Sequence, residues 1–393
     1  MTLPAPKQPS TGVGHLVIVL LVAFIFLWFL PVHGFPGAFP SLEANQGLPH
    51  VCNVLQIMTI AMLLALPWLA LVELTAGSWP GIKLMPKRVA VGIVDTVFIV
   101  IAAVITLALI YGAASAGLIS MVPGASAWQN TQVFALTWGA FVFVTTLFFC
   151  LQWGSWPISA KKLHPAAALA AGYVIVLIFG TLFWYITIAN PPPFLAHPVP
   201  AMQAPMVLAA LLAVVVPEIL WAAPFTFNMY PFIKLKPGLS GLVATIVLVI
   251  AGLILFFVLE AVYVAMGMTE LNAYFKILGG FASTIACVVV LHFTGFDNLP
   301  GAKYGQPKGG LINLVIVAVF SAIWYLILHA FFAPYFAGLP TVPGLGSISE
   351  VFIDQAIIYM NLCAVAPVAL IHYGMWLRVP LSPPPPPPAP PEK

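Results

Sequence analysis

The sequence predicts an all-α polytopic membrane protein of about ten transmembrane helices, and three observations carry that prediction. Charged residues are 6% of the 393 positions, against roughly 25% in a soluble domain. Ten apolar stretches each reach the roughly 20 residues needed to cross a hydrocarbon core. The basic residues gather in alternate loops between those stretches.

The stretches lie near 15–34, 51–75, 89–114, 130–153, 166–189, 205–228, 239–267, 271–296, 310–334 and 354–377. Backbone groups in lipid must be satisfied within the spanning segment, so these runs are helices; a β-barrel would show short alternating strands instead. The chain then reads as a single transmembrane domain over 1–377 with a proline-rich tail over 378–393. Pro383–Pro391 of that tail is an extended polyproline spacer or docking segment.

Lys83, Lys87, Arg88, Lys161, Lys162, Lys234, Lys236, Lys303 and Lys308 occupy every second loop, with Lys7, Arg378 and Lys393 in the tails. Glu43, Glu270 and Glu350 lie in or beside the remaining loops, which carry no Lys or Arg. The positive-inside rule then puts both termini and the Lys-bearing loops in the cytoplasm, as in a multi-pass protein of a bacterial inner membrane. The first stretch lacks the flanks of a cleaved signal and is expected to be retained. Cys52, Cys150, Cys287 and Cys363 have no metal-type spacing and read as small residues in helix packing. A net charge of +3 gives no basis for a nucleic-acid partner.

The Lys-bearing loops repeat one another. They run Trp79-Pro80 through Lys83 to Pro86, Trp156-Pro157 through Lys161 to Pro165, Tyr230-Pro231 through Lys234 to Pro237, and Leu299-Pro300 through Lys303 to Pro307. The first proline stops the incoming helix and the second suits the start of the outgoing one. The expected unit is a helical hairpin of about 75 residues. The first and tenth stretches read as the halves of a fifth hairpin, since Leu377-Arg378-Val379-Pro380 begins a similar turn. Counted back from the turn proline, Pro67 lies 13 residues away, Pro217 lies 14 and Pro367 lies 13. Three mid-membrane prolines at matched depth predict a five-hairpin ring with kinked inner, even-numbered helices and lipid-facing odd-numbered ones. This plan resembles the plant slow anion channels and the bacterial tellurite-resistance proteins, which also set five kinked hairpins around a pore. Here the hairpins start from the opposite membrane face.

Ionisable groups inside a span are costly and mark functional sites by default. Glu218 directly follows Pro217, and a carboxylate there must be neutral, paired or facing water; it is the leading candidate to bind substrate or a coupling proton. Glu73, His292 and His372 lie 7, 8 and 8 residues before their turn prolines, which predicts one depth for all three. Such a set could relay protons, or His292 and His372 could hold haem, a metal or a quinone. Trp153, Phe227, Phe296 and Trp376 form an aromatic layer that reads as a gate or as an interfacial belt. Asp95 is expected to pair with the Lys87–Arg88 loop. Lys276 makes either a positive vestibule or a salt bridge, and Glu260, His329 and His33 are expected to reach the outer interface.

Walker, dinucleotide-binding, His-Glu-x-x-His and Gly-x-Ser-x-Gly patterns are absent, so no enzyme class is indicated. The expected function is a secondary transporter or channel for a small solute or ion, without a cofactor and with Glu218 as the group for any proton coupling. The alternative is a membrane subunit of a redox complex using His292 and His372. Partners beyond the lipid bilayer, whether a second copy or a membrane complex, are left open.

Overall fold

In a computed structural model, which describes residues 9–34, 49–85, 88–161, 163–344, 346–376 and 381, ten helices are long and apolar enough to span a membrane. They are α1 (Thr11–Gly34), α2 (His50–Thr75), α3 (Ala90–Ser115), α4 (Ala127–Gln152), α5 (Pro165–Ala189), α6 (Pro200–Trp221), α7 (Gly238–Ala265), α8 (Glu270–Phe296), α9 (Lys308–Tyr335) and α10 (Ile348–Met375). A two-residue ladder, Thr341–Val342 with Gly346–Ser347, precedes α10. Lys7, Glu43, Lys87, Pro380 and the proline-rich tail other than Leu381 lie outside the described residues.

The helix ends follow local chemistry that differs between the two sides. At the ends away from the lysines, hydroxyl side chains cap: Ser126 accepts from Gln129 N–H, Thr269 from Asn272 N–H and Ser347 from Glu350 N–H. On the lysine side proline starts the helix at Pro165 and precedes it at Pro307. The mid-helix prolines are placed alike as well. Pro67 and Pro367 are each followed four residues later by a π-helical stretch, Leu71–Thr75 and Ile371–Met375. Pro217 is followed four residues later by the end of its helix at Trp221. The same π-helical stretch, Phe148–Gln152, ends α4, which has no proline, so the widening before the turn belongs to the helix end rather than to the proline.

Four turns on the lysine side share one backbone course. Each has two residues with left-handed backbone, then a cis X–Pro bond: Gly77-Ser78 before Trp79-Pro80, Gly154-Ser155 before Trp156-Pro157, Asn228-Met229 before Tyr230-Pro231, and Asp297-Asn298 before Leu299-Pro300. In three of them the Lys N–H then bonds the proline carbonyl, Lys83 to Pro80, Lys234 to Pro231 and Lys303 to Pro300. The next helix holds two of these turns from behind. Asp95 Oδ1 on α3 accepts from Gly81 N–H at 2.8 Å, and Asn313 Oδ1 on α9 accepts from Gly301 N–H at 3.1 Å. Asp95 thus serves a turn amide; of the expected Lys87–Arg88 loop, Lys87 and the Arg88 side chain lie outside the described residues. Since an amide accepts the same bond at Asn313, Asp95→Asn is expected to cost less thermal stability than Asp95→Ala. Asp95→Ala is expected to cost about 1–2 kcal/mol by orphaning a buried N–H. Thermal melts of the purified variants check this, and equal losses for both would refute it.

Even and odd helices have different surroundings. Their central windows are 50–72% buried for α2, α4, α6, α8 and α10, and 22–28% for the odd helices. The odd helices present bare hydrocarbon outward, with Leu109 70%, Val315 65% and Phe257 62% exposed. Such a surface is stable against lipid and not against water. Each even helix packs on the next, α2 on α4, α4 on α6, α6 on α8, α8 on α10, and α10 on α2. The odd helices are keyed into this layer by glycine. A Cβ at Gly252 of α7 would strike the Val214 backbone of α6, and one at Gly180 of α5 the Val142 backbone of α4.

Candidate functional site

The five even helices enclose one cavity of about 520 Å³, to which no odd helix contributes. Its wall includes Leu66 and Leu69 of α2, Phe143 and Leu147 of α4, Val215 and Ile219 of α6, Ala286 and Val290 of α8, and Leu362 and Pro367 of α10. The presence of Gly77, Ser78, Ile82, Pro224 and Phe225 in the wall shows that the cavity reaches the turns on the lysine side.

Toward the other side the helices converge. Asn361, next to the wall residue Leu362, donates to Ser283 Oγ at 3.2 Å and Thr284 Oγ1 at 3.1 Å, and accepts from Trp324 Nε1 at 2.9 Å. Two turns further out, a Cβ at Gly279 would fall 2.5 Å from the Asp354 carbonyl, so α8 and α10 touch backbone to backbone. Beside that contact Lys276 Nζ lies 3.0 Å from Asp354 Oδ2, 3.2 Å from Glu350 Oε2 and 2.7 Å from the Tyr325 hydroxyl. His329 Nε2 is 3.3 Å from the same Glu350 oxygen. Of the two expectations for Lys276, the structure has the salt bridge, and it ties α8, α9 and α10 together.

Of the sequence-nominated residues, Glu73 and Pro367 line the cavity. Glu73 Oε2 is 3.4 Å from the Ser78 hydroxyl, and its carboxylate abuts Gly374 of α10. Pro67, Pro217, Glu218, His292 and His372 stand behind the wall. Glu218 sits between the wall residues Val215 and Ile219 but is turned away; it is fully buried, and neither carboxyl oxygen has a hydrogen-bond partner. Its carbonyl accepts from Gln152 Nε2 of α4 at 3.0 Å.

The histidines do not assemble as a set with Glu73. His292 Nε2 donates to the Leu299 carbonyl at 2.8 Å, inside its own turn. His372 Nδ1 lies 2.8 Å from Nδ1 of His15 on α1, the rings stacked 4.9 Å apart, and His15 Nε2 reaches Thr294 Oγ1 at 3.1 Å. Among the described residues no three His, Cys, Asp or Glu side chains converge as a metal site, and all four cysteines are buried thiols.

The aromatic layer faces outward, away from the cavity. Trp153 lies against Gly241 of α7, Phe227 against Gly310 of α9, Phe296 against Gly12 of α1 and Trp376 against Gly92 of α3. A Cβ on any of these glycines would collide with the ring. On the side without lysines, Tyr274 donates to Glu260 at 2.8 Å, His33 meets Tyr335 at 3.4 Å, and His197 of the 190–204 loop meets Glu270 at 3.4 Å.

Three residues of the site had no place in the sequence reading: Asp354, Asn361 and His15. Counting back from the turn proline could have found the first. Asp354 lies 26 residues before Pro380 and Lys276 lies 24 before Pro300, nearly one depth on two neighbouring helices. Nothing in the sequence pairs His15 with His372.

The fold and the cavity define a class: the chain is an all-α, multi-pass protein of the membrane. Compared with known proteins, it matches no family model, no curated protein and no solved structure. No match stands behind the expected likeness to slow anion channels and tellurite-resistance proteins.

Proposed function

We propose that the chain is a secondary transporter that carries a small solute across a bacterial inner membrane through the space between its five even helices. The observation that carries this reading is the cavity itself, walled by all five even helices and reaching the turns on the lysine side, while α8 and α10 close on each other toward the opposite side. That contact of α8 with α10, with the Lys276–Asp354 pair beside it, supports a carrier that alternates over a permanently open channel. In this reading α2–α3, α4–α5, α6–α7, α8–α9 and the split pair α10 with α1 are five copies of one hairpin in a ring. The common turn backbone, the closed sequence of even-helix contacts and the four aromatic–glycine contacts support it. The lysine side is cytoplasmic by the positive-inside rule. Glu218 carries the coupling proton, and its burial without a partner supports that role.

A redox subunit built on His292 and His372 has less support, because each imidazole already holds another partner, the Leu299 carbonyl and His15.

Alternation can be tested before any substrate is known. Ala366 lines the middle of the cavity, and the four native cysteines are buried. Ala366→Cys in sealed vesicles is expected to react quickly with a membrane-impermeant methanethiosulfonate from the lysine side. It is expected to react more slowly, but to completion, from the other. Labelling from the lysine side only, under every condition, would reject passage.

A further inference from the structure

The cavity is a hydrocarbon bore with its polar groups at one end. Glu73, Ser78 and Tyr373 are its side chains with oxygen, and all three sit near the turns on the lysine side. Deeper in, the wall is Leu66, Phe143, Val215, Ala286 and Leu362, with no side-chain oxygen or nitrogen. The buried polar groups near that depth are directed elsewhere. Asn361 is held by Ser283, Thr284 and Trp324, and Glu218 points behind the wall.

That distribution selects among solutes. An ion moved to the deep end would give up its hydration for nothing, at an idealised cost of order tens of kcal/mol. A sugar or amino acid would leave several polar groups unmet, at about 1–3 kcal/mol each. An alkyl body loses nothing and gains about 0.8 kcal/mol for each CH₂ taken from water. Apolar cavities of roughly 150 Å³ stay dry and accept benzene. This one, at about 520 Å³, is large enough for a whole small molecule.

We infer that the occupant is an uncharged, largely hydrophobic molecule of the size of a medium-chain alcohol or small terpenoid. Its one polar end, a hydroxyl or carbonyl, lies at Glu73 and Ser78, since the Tyr373 hydroxyl is turned to Asp297 Oδ1 at 3.5 Å. That the molecule is carried across rests on the transporter reading; that it binds does not.

The test is photolabelling of the full chain in proteoliposomes, where no detergent competes, with the uncharged diazirine 3-azioctanol, followed by peptide mapping. Saturable adducts are expected on wall residues such as Leu147 and Leu370, displaced by excess decan-1-ol and reduced at least tenfold in Ala286→Trp. The decanol competition uses the unaltered chain, so it decides the matter if that variant does not fold. Adducts confined to lipid-facing residues such as Ile178 and Val315 would overturn the inference. So would equal labelling of the wall by the carboxylate analogue of the probe. Saturable wall labelling, with Ala366→Cys reacting from one side only, would leave binding standing and remove transport. Reaction of Ala366→Cys from both sides without wall labelling would do the reverse.

Discussion

Replacing Lys276 by methionine is expected to lower the thermal midpoint of the purified chain more than any other single substitution of a polar residue in the membrane region, and a second change, Asp354→Asn, to restore most of the loss. Lys276 is the sole cation within reach of two carboxylates among the described residues, one of which, Asp354, is 1% exposed. With the ammonium gone, Glu350 and Asp354 are left as like charges one turn apart on the same face of α10, with no cation but a protonated His329 to offset them among the described residues. Removing one partner of a buried pair typically costs about 3–5 kcal/mol, because the remaining charge is stranded in low dielectric. Neutralising Asp354 as well removes the stranded charge, so the double variant should sit well above Lys276→Met alone. The pair also ties α8 to α10 on the side away from the lysine-bearing turns, beside the Gly279 contact. The reporter thiol of Ala366→Cys should accordingly react faster from that side when the double change is combined with it. A Lys276→Met protein as stable as its parent, or a double variant no better than the single one, would show that the pair contributes little.

The helices are legible because apolar length and loop charge answer directly to the bilayer, and the misread ends have local causes. The sixth apolar stretch continues to 228, yet α6 stops at Trp221, four residues past Pro217. Pro224, two residues past the Ala222 cap, does locally what apolar composition cannot report. The tenth stretch is expected to start at 354, but Ser347 caps it and α10 begins at Ile348. Glu350 and Asp354 make that first stretch look like loop, and the same error hides the partner of Lys276. Depth is readable from the turn prolines and rotation is not. Val215 and Ile219 face the bore while Glu218, one residue from Ile219, is turned about 100° away in a 3.6-residue helix. His372 illustrates the same gap. Its depth is expected to match His292, but its partner, His15, comes from the far end of the chain, and only the packing of α1 on α10 brings them together.

Glu218→Leu is expected to raise the thermal midpoint while slowing far-side labelling of the Ala366→Cys reporter at least tenfold. In the parent the carboxyl is completely buried and neither oxygen finds a donor or a cation. An unsatisfied buried polar group costs about 1–3 kcal/mol, and an apolar side chain of similar shape removes that cost. Only the Glu218 carbonyl, which the substitution leaves in place, is engaged by Gln152. Gained stability is therefore the expected result of packing alone, and a residue with no function would stop there. A proton carrier would not, since leucine cannot take up or release the proton on which movement of α6 depends. Stabilising changes at functional sites characteristically lose activity in this way. A stabilised protein that still alternates at the parent rate would reduce Glu218 to a tolerated polar residue, and a destabilised one would mean that its carboxyl has a partner in the working protein.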